Sequence, residues 1–306
     1  MEFNNAEAAM QTTWRFPRVL SDPHFLYVLL LIALSLSSCA GSVRTTITEM
    51  PEGQRIANVD DTLFGEVLSR VLRPNGSVNY NALRSDTKLT DYLQQLALVR
   101  TDIFISRQAE LAFWLNAHNA YVLDIIRSNW PAHSISDISG FRVSKVALIG
   151  GTRYSLDDIE HGILATRFRE PRVFFGLFDG TRSSPPLRPE PYSEAHLSDE
   201  LDHQLLLFLG DSTKNFVDRK AITIYLSERF KEYSNEIEAA AGTMTTFLSV
   251  YAPPEMAHWV SAHLSAHIAY LDYDNTLFTN DNTVNGQTTE RPAHNQPISK
   301  SPGGIR

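Results

Sequence analysis

The chain has 306 residues, 43% apolar and 20% charged, with a formal net charge of −8; this is enough to bury the core of one large domain or two modest ones. Acid excess without a long basic block argues against a nucleic-acid groove, whose phosphate contacts need clustered Lys and Arg, so no nucleic-acid partner is expected. The single cysteine, Cys39, excludes an intrachain disulfide and a zinc site built on cysteines.

Residues 1–24 are polar and carry Arg15 and Arg18; "FLYVLLLIALSLSSCAG" follows at 25–41. Its strongly apolar part is about twelve residues, short of the roughly 20 that span a bilayer, and fits the core of a secretory signal. "LSSC" (36–39) has the lipobox pattern: an apolar residue, two small residues and the cysteine that receives lipid. The pattern predicts a signal peptide over 1–38 and membrane lipid as a partner through acylated Cys39. Ala40 after the cysteine is compatible with the periplasmic face of the outer membrane in the cell envelope. An uncut inner-membrane signal anchor, with Cys39 incidental, is the alternative. Stable anchoring takes more than one acyl chain.

Residues 40–60 are polar and aperiodic and read as a tether. "DTLFGEVLSRVL" (61–72) has helical spacing of Leu63, Val67, Val71 and Leu72, and "RPNGS" ends it. "VNYNALR" is a short extended piece or a helix entry. Residues 87–99 are amphipathic. The strongest helix is 106–130, with Ser106 to cap it and Pro131 to end it. "KVALIGG" reads as a strand into a glycine turn. Residues 155–168 read as a helix opened by Ser155 and Asp158, close to a capping box. "PRVFFGLF" (171–178) is strand-like. A helix at 193–211, a strand and helix in "KAITIYLSERFKEYSNEI", further helices and a last extended piece complete the pattern. From 279 the chain is rich in Asn, Thr, Gly and Pro and reads as a disordered tail. The expected fold is a single helix-rich α+β domain around a small sheet over 61–278, with α/β as the alternative.

Several polar residues stand out. Asn116 and Asn119 are three apart on one helix and face a common direction. Their amides can orient an imidazole, bind a carbonyl or pin a neighbouring loop. His118 projects roughly 100° away. His161 is a candidate general base, since imidazole titrates near neutrality; its neighbour Glu160 points elsewhere, and Asp157 and Asp158 are placed to tune it. A structural histidine bonded to a backbone carbonyl is the plain alternative. "FFGLFDGTRSSPPLRP" (174–189) runs from a strand into a turn at Asp179 and Gly180. Thr181, Ser183 and Ser184 offer hydroxyls, and Arg182 and Arg188 offer guanidinium forks suited to a carboxylate or phosphate. Ser184 is a nucleophile only with a base in reach, and no GxSxG elbow is present. His263 and His267 lie four apart without an HExxH motif, so no metal is expected. Asp272, Asp274 and Thr276 imitate a DxDxT phosphatase motif, but at the C-terminal edge after a helix. No cofactor is expected.

Four landmarks, in order, carry a family resemblance: "LAFWLNAHNA" (111–120), "SLDDIEHGIL" (155–164), "FGLFDGTRSSPPLR" (175–188) and "LDYDNTL" (271–277). Over about 61–278 the chain resembles the family called domain of unknown function 547. The family's third landmark usually reads Phe-Ala-Leu-Asn-Cys-Ala-Ser-x-Ser-Cys-Pro-Pro-Leu-Arg. Asp179 stands where the resemblance implies the first cysteine, Ser184 where it implies the second, and Phe178 replaces the usual Asn. The family's Cys-plus-His pattern suggests a distant cysteine-peptidase-like or transglutaminase-like ancestry by analogy only. It implies a cleft containing Asn116, Asn119, His161, Asp179 and Ser184 as candidate catalytic residues, with thiol chemistry lost. Three functions stay open. One is a binder of a small anionic ligand or an envelope protein through Arg182 and Arg188. The others are a non-cysteine hydrolase or acyl-transfer enzyme, and an envelope scaffold.

Metabolic labelling with a palmitate analogue is expected to mark the wild-type chain and not Cys39→Ser. Equal labelling of the two removes the lipid anchor.

Overall fold

A computed structural model describes residues 56–280, all within one compact unit. Cys39, its lipobox and nearly all of the expected tether lie outside the described residues, as does the tail beyond 280. No helix among the described residues is long and apolar enough to cross a membrane.

Side-chain caps set the helix starts in the N-terminal half. Asp60 accepts from Thr62 N at the start of α1 (Asp61–Val71), Asn79 from Ala82 N at α2 (Tyr80–Arg84), and Asp86 from Leu89 N at α3 (Thr87–Leu98). Ser106 caps α4 (Arg107–Ser128) through Ala109 N at 3.0 Å. Buried residues of α4 lie all round it, from Leu111 and Trp114 to Ile125 and Ile126, and they include Asn116, His118 and Asn119. A helix buried on every side has no solvent stripe and is the centre of its domain; α2 and α3 pack on it.

Two small open sheets accompany the helices. β1 (Ala147–Ile149) and β2 (Thr152–Tyr154) form an antiparallel hairpin turned by Gly150 and Gly151, both at positive φ as a two-residue hairpin turn requires. The second sheet has the order β3 (Phe216–Asp218), β4 (Thr223–Ser227), β5 (His267–Leu271). β3 is antiparallel to β4, and β5 is parallel to it, with Thr223 opposite His267 and Ser227 opposite Leu271. The crossover from β4 to β5 is made by α7 (Glu228–Glu232), α8 (Ser234–Ala241), α9 (Met244–Tyr251) and α10 (Pro254–Ala262). α5 (Thr166–Phe168) and α6 (Leu197–Gly210) precede the sheet. The fold is mixed α+β and mostly helical.

Several expected elements take other forms. The reciprocal box at Ser155 and Asp158 forms, at 2.9 and 3.0 Å, but the helix it opens is π-helical over Asp158–Ala165. The expected strand at 171–178 is a 3-10 helix, Pro171–Phe175, followed by irregular chain. Pro171 in the first turn and the Glu170 side chain, which accepts from Arg172 N, start a helix there. Val173, Phe174, Phe175, Leu177 and Phe178 are all buried, so the alternation of a half-buried strand is missing. The pair His263 and His267 does not share a helix face, because α10 ends at Ala262 and His267 opens β5. Asp272 and Asp274 follow that strand rather than a helix, and Asp274 Oδ1 accepts from Thr276 N to form a local turn. Thr279, at the expected start of the tail, is buried and donates to Val78 O at 2.8 Å.

The segment 274–279 is a strap across the loop that begins at Asp179. Arg182 N donates to Thr276 O, and Phe278 N to Gly180 O. Gly180 has φ +87°, and a Cβ there would lie 2.4 Å from Ile126 Cδ1 and 3.1 Å from Tyr80 Oη. Gly180→Ala combines left-handed strain with overpacking and is expected to cost about 2–4 kcal/mol. Denaturant unfolding measures it; a loss under half a kcal/mol removes Gly180 as a fixed point of the loop.

Candidate functional site

The loop from Gly176 to Tyr192 is held by two amides on α4. Asn119 Nδ2 donates to Gly176 O at 3.0 Å while its Oδ1 accepts from Phe178 N at 2.9 Å. Asn116 makes the same double contact with Tyr192, at 2.9 and 2.7 Å. Each side chain satisfies buried backbone groups as a neighbouring strand would. The two asparagines of the expected cleft thus position the loop by gripping its backbone.

Arg229, almost fully buried, holds the same loop from the other side. Its Nε donates to Phe174 O at 3.0 Å, its Nη2 to Leu177 O at 3.1 Å, and its Nη1 to Asp179 Oδ2 at 3.4 Å. Burial opposes its charge, yet the neighbouring Tyr233, Tyr273, Asp179 and Glu160 hold it firmly protonated. Asp179 is closed in on both oxygens. Oδ1 accepts from Thr181 N at 3.1 Å and Thr181 Oγ1 at 2.7 Å; Oδ2 accepts from Arg229 and from the Tyr273 hydroxyl. Burial, with the Asp179 charge next, pushes the Tyr273 phenol well above its ordinary value, so it stays a donor.

A second buried carboxylate, Glu160, meets His118 Nε2 with Oε1 at 2.9 Å, while its Oε2 accepts from the Tyr233 hydroxyl and from Arg142. Burial opposes its ionisation; the His118 hydrogen bond and the charges of Arg142, His118 and Arg229 overcome this and hold the carboxyl well below the usual range. The other ring nitrogen of His118, Nδ1, lies 3.2 Å from Asn119 Oδ1, the same oxygen that accepts from Phe178 N. Arg142 bridges Glu160 and Glu232, reaching the latter at 2.9 Å, and Arg229 lies 4.0 Å from Glu232.

The other expected site residues fall elsewhere. His161 is half-buried on the rim, its ring stacked on Tyr233 at 5.5 Å and its Nε2 3.6 Å from Asp157. Ser184 Oγ donates to Pro185 O at 2.8 Å and accepts from Asp179 N at 3.0 Å, which makes it a pin of the turn; no histidine among the described residues hydrogen-bonds to it. Arg182 is exposed and lines a separate cleft with Lys214, Asp272 and Asp274. Arg188 is buried against Glu200 at 3.5 Å and the Tyr192 ring at 5.0 Å. The two arginines therefore do not form one anion site. Glu160, His161 and Glu232 bring ligand atoms within 4.8 Å of one another, but a cation there competes with Arg142, which already bridges the two carboxylates.

The residues missed by sequence reasoning are His118, Arg142, Glu160, Arg229, Glu232, Tyr233 and Tyr273. His118 carried a signal as a histidine among the apolar residues of the longest described helix, and Glu160 and Tyr273 as members of the landmarks at 155–164 and 271–277. Over the network opens a cleft of about 390 Å³, bordered by Arg142, Asp179, Glu228, Lys231, Glu232, Tyr273 and Asn275.

Residues 104–209 match the model of the family described as protein of unknown function, DUF547. No curated protein and no solved structure matches the chain. The matched segment carries Asn116, His118, Asn119, Arg142, Glu160 and Asp179, whereas Arg229, Glu232, Tyr233 and Tyr273 come from beyond it.

Glu160→Gln is expected to cost about 3–5 kcal/mol at pH 7, as removal of one member of a buried ion pair does. The wild-type carboxyl is held below its unfolded value near 4.3. Its contribution is therefore complete above about pH 5 and is lost as pH falls toward the folded value. Stability measured from pH 6 to 2.5 should fall less steeply in Glu160→Gln; parallel curves contradict the assignment.

Proposed function

We propose that the chain is a binding domain and that the cleft over Asp179 takes a small polar ligand bearing both charges. The saturation of Asp179 carries this reading. Two hydrogen bonds reach each of its oxygens, so no lone pair is left to attack a substrate or to take a proton. Ser184, whose hydroxyl is used on both sides by the turn, supports the same conclusion. The cleft border supplies Arg142 and Lys231 for an anionic group and Glu228 and Glu232 for a cationic one. A ligand of a single sign meets repulsion from half of this border, whereas a zwitterion meets attraction from both. We also propose that acylated Cys39 places the domain at the cell envelope.

Free amino acids and dipeptides at millimolar concentration, added to the full-length protein, are expected to raise the melting temperature in a saturable way. The exposed variants Lys231→Gln and Glu228→Gln should each weaken the effect about three- to tenfold. Turnover of p-nitrophenyl acetate that His161→Ala abolishes replaces this reading with the hydrolase. A flat melting temperature across the panel favours the scaffold.

A further inference from the structure

On a different part of the fold lies a cavity of about 520 Å³, a size usual for small-molecule sites. It shares no lining residue with the cleft over Asp179. Its walls are largely apolar, with Val59, Ile103, Phe104, Phe113 and Tyr192 among them, and none of its lining residues is Lys, Arg or His. Two carboxylates stand in these walls, Asp61 and Glu194.

Neither acid has an ion-pair partner among the described residues. Asp61 opens α1 and accepts from the Tyr92 hydroxyl at 2.7 Å; Glu194 accepts from Ser106 Oγ at 2.5 Å. Burial, more than the Tyr92 and Asn116 hydrogen bonds offset, raises the Asp61 pKa. Elsewhere in this fold buried carboxylates are matched by guanidinium groups, as Glu160 is by Arg142. No Lys, Arg or His stands with Asp61 in the cavity wall; aromatic rings line the same cavity. Phe104 and Phe113 lie 5.2 Å apart, tilted, and ring faces of this kind attract ammonium ions. Ile105, 85% exposed, and Ile103, 45% exposed, leave bare apolar surface beside the cavity.

We propose that this cavity is a second binding site and that it takes an organic ammonium ion carried on an apolar body. The ammonium supplies the countercharge to Asp61 and Glu194 and lies against the aromatic rings, and the apolar body covers Ile103 and Phe113. Anions are repelled by both acids. A neutral amphiphile gains the apolar contacts alone.

The test uses the full chain at pH 7.5 with hexylammonium chloride, hexanol and hexanoate, followed by titration calorimetry. Hexylammonium should bind saturably and at least about tenfold more tightly than hexanol, and hexanoate should not bind. Asp61→Asn keeps an acceptor for Tyr92 and should bring hexylammonium down to the level of hexanol. Ile105→Ser, at an exposed position that folding does not need, should weaken hexylammonium about fivefold. Affinity should also fall on acidification as Asp61 takes up a proton. Equal binding of hexylammonium and hexanol, or unchanged affinity in both variants, overturns the proposal. So does the absence of binding, as a segment of the chain filling the cavity would produce. None of these outcomes bears on Lys231 or Glu228, so they leave the first cleft untouched.

Discussion

Burying the guanidinium of Arg229 is the constraint on which the site depends. A charge taken from water costs several kcal/mol unless hydrogen bonds and opposite charge replace what the solvent supplied. Here two backbone carbonyls, Phe174 O and Leu177 O, and the Asp179 carboxylate replace it. Those partners lie on one stretch, the end of the 3-10 helix and the irregular chain after it, which must therefore adopt one shape. The arginine on α7 thus decides the path of a loop more than fifty residues before it.

The loop is held from both sides by groups that stand in for a sheet. Asn119 and Asn116 bind its backbone from α4, and Arg229 binds it from α7. A run of buried aromatic and aliphatic residues without alternation needs such partners, because neither face is free for water and no neighbouring strand is present. The same economy links His118 to the loop: Asn119 Oδ1 accepts from Phe178 N and lies 3.2 Å from His118 Nδ1, so the Glu160 network and the loop path share one amide. Alternating signs through Glu160, Arg142, Glu232, Arg229 and Asp179 keep each buried charge next to an opposite one.

A site held this tightly is suited to recognition. Catalytic carboxylates and hydroxyls need an open lone pair or a transferable proton in the resting state. Asp179 and Ser184 are both committed to the architecture of the turn. Around the cleft runs a mixed border of charge, Lys231 3.8 Å from Glu228 and Glu232 met by Arg142, over a rigid floor. Rigidity of the floor lowers the ordering cost of binding, which is how a modest set of surface charges gains selectivity.

The sequence by itself determined where the N-terminal helices start. Asp60, Asn79, Asp86 and Ser106 cap their helices with atoms a few residues away, and apolar spacing in α1 and α3 needs only the helical period. The hairpin at Gly150 and Gly151 and the box at Ser155 and Asp158 are equally local. The matched landmarks also marked Asn116, Asn119 and Asp179 as residues of one region. Only the tertiary structure decided that 171–178 is not a strand, because its hydrogen bonds go to side chains on α4 and α7. It alone decided which charges meet. Arg142, Arg229 and Glu232 have no distinctive neighbours in the chain, and their significance arises where burial removes water and makes an opposite charge obligatory. His118 shows the boundary between the two. Its place in an apolar helix was legible, but its partner Glu160 lies 42 residues away, and no local pattern joins them.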